Sequence, residues 1–63
     1  MAEDFYRTEL EISRRMVLSY GESGRLAVRR EANVWARRAE RNPTQENKEK
    51  AAMYEDIVSE VCG

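Results

Sequence analysis

Sixty-three residues with a net charge of −1, 37% of them charged and 41% apolar, allow one small domain and no more. A single cysteine and no histidine exclude an intrachain disulfide, a zinc centre of the usual four-ligand kind and any mechanism built on an imidazole base. No run approaches the roughly 20 apolar residues of a membrane span, and acids and arginines interrupt the opening positions, so no signal peptide is expected.

A first helix is expected over residues 3–20. Phe5, Ile12, Met16 and Tyr20 fall close together at about 100° per residue, and Tyr6, Leu10 and Val17 form a neighbouring stripe. Such a wide apolar arc marks a core-facing helix. Glu3, Arg7, Glu11 and Arg15 alternate in sign at i, i+4 steps on the other side. Glu3 and Asp4 suit the positive end of the helix dipole. Gly21-Glu22-Ser23-Gly24 then breaks the pattern. Gly21 is suited to a left-handed helix end, and Ser23 to capping the next helix. So short a link favours antiparallel neighbours.

The second helix is expected over 24–41. Val28, Ala32, Trp35 and Ala39 share one face, and the alanines beside the indole let another helix approach closely. Leu18, Leu26 and Val34 lie off these stripes and are left for exposure or a second contact surface. Asn42-Pro43 is a sharp boundary. Pro43 fits the first position of a third helix, with Asn42 as N-cap and Gln45 at capping-box spacing. That helix, 43–62, carries Ala51, Tyr54, Val58 and Val61 as its core stripe, with Met53 and Ile57 beside it. Glu46 and Lys50 form an exposed i, i+4 pair.

The fold class is therefore all-α: three amphipathic helices in a small antiparallel bundle spanning 1–63 as one domain. Phe5, Ile12, Met16, Val28, Ala32, Trp35, Ala39, Tyr54, Val58 and Val61 are expected in its core or at a dimer interface. A core in a chain this short rarely supplies more than about 3–5 kcal/mol. With no disulfide or metal to add to it, completion by a homodimer is expected.

The residues argue against catalysis. The GESG turn lacks the spacing, the strand and the base of a nucleophile elbow. Cys62 has no imidazole to activate it. The pairs Glu9/Glu11 and Glu55/Asp56 sit in polar stretches that would not raise a carboxyl pKa. The expectation is a non-enzyme with no cofactor, no metal, no small-molecule substrate and no membrane contact, in the cytoplasm.

Charge is distributed unevenly. Residues 1–23 carry −2, residues 24–42 carry +4 and residues 43–63 carry −3. Every basic residue of the middle helix is Arg, which offers a planar fork to carboxylate or phosphate. Arg30, Arg37 and Arg41 fall within about 40° on the helical wheel, with Arg38 at their edge and Arg25 and Arg29 elsewhere. Within the helix only Glu40 is placed to reach Arg37. Partners for the stripe are, in order of preference, the acidic flanks of the same fold in this chain or a second copy, an acidic protein, and nucleic-acid phosphate. The pI near 5.4 and the lack of helix-turn-helix spacing place nucleic acid last.

With its Met start, its three capped helices and the run RREANVWARRAERNP at its centre, the chain resembles the short helical accessory proteins that lambda-like temperate phages encode in their exo–xis region. That resemblance implies a non-enzymatic regulatory protein that modulates host or phage development through contacts with host proteins. It transfers no site residue.

Overall fold

The computed structural model describes the backbone of residues 2–63 and the side chains from Asp4 onward. Three helices make up the regular structure: α1, Ala2–Tyr20; α2, Glu22–Arg41; and α3, Gln45–Cys62. The Glu3 side chain, expected in the charged row of α1 and at its N-terminus, lies outside the described residues. Every pair of helices is in contact, and α2 with α3 most extensively. The directions follow from which residues meet. Gly24 lies against Met16 and Val17, and Trp35 stacks on Tyr54 while the Cys62 thiol donates to the Arg25 carbonyl at 3.9 Å. Each of those pairs is antiparallel. Tyr6 meets Asp56 and Arg14 meets Glu60, so α1 and α3 run parallel. The chain is an up-down-up bundle.

One residue joins α1 to α2. Gly21 has φ 59 and ψ −121, close to the first central position of a type II′ turn, which glycine alone enters easily. Its N–H donates to the Val17 carbonyl at 2.8 Å, and its own carbonyl accepts from the Arg25 N–H at 3.0 Å. Ser23 is therefore not the expected cap. It already lies inside α2, because the turn closes two residues earlier and needs no side-chain oxygen. Gly24 has a separate role. A β-carbon on it would come within 2.6 Å of the Met16 carbonyl carbon and 2.9 Å of the Val17 α-carbon, and nearer still to the Met16 carbonyl oxygen. The hairpin can close this tightly only because that side chain is absent.

The second boundary also differs from expectation. Asn42 ends α2, its N–H donating to the Arg38 carbonyl at 2.8 Å. Thr44 caps α3, its hydroxyl accepting from the Asn47 N–H at 3.1 Å. The Asn42 carbonyl accepts from the Thr44 N–H and from the Asn47 side-chain amide at 2.9 Å. Pro43 thus sits before the cap and not at the first helical position. With its backbone spent on both helices, Asn42 terminates one and braces the other.

Val28, Tyr54 and Ile57 form the buried centre, with Tyr6, Leu10, Val17, Ala32, Trp35, Met53, Val58, Val61 and Cys62 packed around it. Ile57 is wholly buried, so the core face of α3 is centred on a residue expected beside the stripe. In α1 the emphasis also shifts. Tyr6, Leu10, Ser13 and Val17 turn inward, whereas Phe5 is 42% and Ile12 47% exposed. Two neighbours rotate the helix: Gly24 draws Val17 toward α2, and Asp56 draws Tyr6 toward α3. Met16 and Ala39 are half-buried at the margins. Phe5 and Ile12 thus lie outside the core of a single chain. Small Ser13, 8% exposed, takes the place an aliphatic was expected to fill. No described helix is long and apolar enough to cross a membrane.

Candidate interaction surface

Opposite Val28, Ala32 and Trp35, α2 presents its other face to solvent. Leu26, Arg29, Arg30, Asn33, Val34 and Arg37 line one shallow depression along it, and Val34, Arg37, Arg38 and Arg41 continue it toward the C-terminal end. Leu26 is 56% and Val34 40% exposed. The face arises because the i, i+4, i+7 and i+11 steps from Leu26 bring Arg30, Asn33 and Arg37 onto one line. The row is about 22 Å long from Leu26 to Arg41 at 1.5 Å per residue.

Among the described residues, Arg29, Arg30, Arg37 and Arg41 make no ion pair or hydrogen bond, and the expected Glu40–Arg37 pair does not form. Among the described residues, no acid of the flanks forms an ion pair with these four arginines. Apart from Glu22, the described acids of those flanks lie on α1 and α3. Arg25 is different: it holds Glu22 at 2.9 Å, a contact that lowers the Glu22 pKa first by its hydrogen bond and then by its charge. Arg38 also stands apart. Its guanidinium lies 4.8 Å from the centre of the Trp35 ring, one turn earlier on the same helix. Lys50 approaches the same ring at 4.8 Å and Phe5 at 5.6 Å. Trp35 also stacks on Tyr54 with centroids 6.1 Å apart and planes 9° from parallel. Arg38 thus shields the indole as well as edging the stripe, by a cation–π contact. The i, i+3 spacing of Trp35 and Arg38 is visible in the sequence; the Lys50 approach needs the fold.

Two tyrosine–carboxylate pairs fasten α1 to α3. The Tyr54 hydroxyl donates to Glu9 at 2.7 Å. Burial, and then the Glu9 carboxylate, push its phenol well above the ordinary value. The Tyr6 hydroxyl donates to Asp56 at 2.7 Å, which raises that phenol chiefly through the hydrogen bond. Spacing within a single helix signals neither pair. Of the charged pairs expected along helices, Glu46–Lys50 forms at 3.5 Å. Among the described residues, Glu11 pairs with neither Arg7 nor Arg15, as suits exposed ions that gain little from contact.

Cys62 is a free, half-buried thiol beside a backbone carbonyl, and among the described residues no three carboxylate or thiol groups converge to hold a metal. No protein-family model matches the chain, and no curated protein or solved structure matches it.

Proposed function

We propose that the chain is a non-catalytic interaction module of regulatory type, a homodimer acting in the cytoplasm, that offers the outer face of α2 to an acidic protein. The unpaired arginine stripe carries this reading. Among the described residues Arg30, Arg37 and Arg41 hold no carboxylate, yet they frame Leu26 and Val34. Guanidinium forks fix carboxylates bidentately. Exposed aliphatic groups between them gain free energy only where a partner covers them. An acidic amphipathic helix supplies both features. A place among the helical accessory proteins of temperate phages is consistent with such a role.

Nucleic-acid binding by the same arginines is the rival, favoured by Asn33 at the centre of the stripe, since Arg and Asn are the common readers of base edges. The apolar residues separate the two. A fluorescent helical peptide of alternating Leu and Glu turns should bind the chain, and Leu26→Ser and Arg37→Glu/Arg41→Glu should each weaken it about tenfold or more. A short DNA duplex should not be retarded at micromolar protein, even at low salt. Retardation of DNA that Leu26→Ser leaves intact would favour the rival, and failure to bind either probe would remove the proposal.

A further inference from the structure

Buried hydroxyls normally find a hydrogen-bond partner, and Ser13 does not. It is 8% exposed on the inward face of α1, yet among the described residues its hydroxyl makes no hydrogen bond. Among the described residues no unpaired polar side-chain atom is sealed from solvent, so this hydroxyl has an outlet. The outlet is a groove of about 340 Å³ between α1 and α2, which Ser13 lines. The register of the hairpin sets the rim of that groove. Gly24 lies against Met16 and Val17, so two turns back along α1 and two turns on along α2 bring Glu9 opposite Glu31. After burial, both carboxylates help to raise the phenol of Tyr54 in the groove wall. Among the described residues neither has a cation within ion-pair distance. Two like charges thus face each other over Ile12, Met16 and Ala27.

We propose that this groove binds a small organic cation, a primary ammonium group carried on a compact apolar body such as an aryl ring. An ammonium has three N–H donors and no acceptor. Glu9, Glu31 and the Ser13 Oγ offer it acceptors from three sides. Glu9 and Ser13 stand one turn apart on α1 and so share a face, while Glu31 comes from α2. The apolar body covers Met16, Ala27 and Ile12, which the chain leaves 47% exposed. The volume lies at the small end of the range for ligand pockets, about 300–1,000 Å³. A lysine side chain of another protein carries the same ammonium, but its slender stem leaves much of the groove empty and forfeits those contacts. The groove shares no lining residue with the arginine stripe. This site therefore does not depend on the acidic-protein face, and its test is separate.

Chemical shifts of the isotopically labelled chain, titrated with 2-phenylethylammonium at neutral pH, test the site. The Ile12, Met16 and Ala27 methyl signals should move saturably, with a dissociation constant of about 0.1–1 mM, within reach of so small a ligand. Phenylacetate, the same ring with the opposite charge, should not bind. Methylammonium, the charge without the ring, should bind about tenfold more weakly or less. Glu31→Gln, an exposed change, should weaken binding about tenfold. Ser13→Ala should weaken it about fivefold while the Tm holds or rises, because the lost hydroxyl has no partner in the fold. A lower Tm with unchanged affinity would mean that Ser13 serves packing alone, and would overturn its place in the site. N-acetyl-lysine methylamide, the protein source of the same ammonium, should bind more weakly than 2-phenylethylammonium; tighter binding would overturn the small-ligand reading. No saturable shift up to about 10 mM, or equal shifts with phenylacetate, would overturn the site itself.

Discussion

Gly24→Ala opposes two terms of known sign. Alanine in a helix is favoured over glycine by about 1 kcal/mol, so local propensity predicts stabilisation. The contact predicts the reverse. The new methyl group would fall 2.6 Å from the Met16 carbonyl carbon and 2.9 Å from the Val17 α-carbon, where 3.4–4 Å is ordinary contact. Both obstacles are backbone, which cannot rotate aside, so α1 and α2 must part by about an ångström. Overpacking a tight contact costs about 1–3 kcal/mol, and immovable atoms place this case at the upper end. A net loss of about 2 kcal/mol is expected, close to half of the ~3–5 kcal/mol that so small a core supplies. For a domain of this size that corresponds to a fall of roughly 8–16 °C in Tm. Thermal and urea unfolding followed by circular dichroism measure it. Ser23→Ala, an exposed change in the same helical turn, is the control and should cost nothing. A Gly24→Ala chain as stable as the original, or more so, would refute the close approach of the two helices.

Three further expectations concern the turns and the tyrosines. Gly21→Ala has open space around it but forces a side chain into φ 59; the strain should cost about 1–3 kcal/mol, read as a lower urea midpoint. Thr44→Ala should lose about 1 kcal/mol and Asn42→Ala less through its side chain, because Thr44 provides the cap; the opposite ranking would return the cap to Asn42. Tyr54→Phe keeps the ring on Trp35 and loses the hydrogen bond to Glu9, for about 1 kcal/mol. The raised Tyr54 pKa means that above the ordinary phenol value of 10 the folded chain holds the proton that the unfolded chain releases. That stability is present below pH 10 and is lost as pH rises beyond it. Unfolding midpoints at high pH should fall less steeply for Tyr54→Phe, and tyrosinate absorbance should show one late transition that this variant lacks.

Much of the fold was legible because helical periodicity is a local property. The apolar faces of α2 and the existence of three helices follow from residue spacing alone, and Asn42-Pro43 falls between α2 and α3. What escaped was set by contacts between helices. Nothing within α1 says that Tyr6 rather than Phe5 turns inward; Asp56, fifty residues away, and the missing side chain of Gly24 decide it. Ile57 becomes the centre of the core because α3 touches both other helices, whereas a stripe read from one helix assumes one neighbour. Both caps moved by two residues: the Gly21 backbone closes the first turn without Ser23, and the Thr44 hydroxyl caps α3 in place of Asn42, which ends α2. For the candidate surface, the alignment of Arg30, Arg37 and Arg41 was visible on the wheel, and their lack of carboxylate partners required the tertiary arrangement. Arg38 was placed with them, yet it also covers Trp35.

The decisive measurement concerns whether the arginine stripe serves the fold or faces outward. Arg37→Gln/Arg41→Gln removes two charges that touch no carboxylate among the described residues. The Tm should stay within about 4 °C of the original, the response to a surface change of at most ~0.5 kcal/mol, while affinity for the acidic helical peptide falls about tenfold or more. A markedly lower Tm with peptide affinity unchanged would mean that these arginines hold the molecule together, and that α2 has no free face to offer.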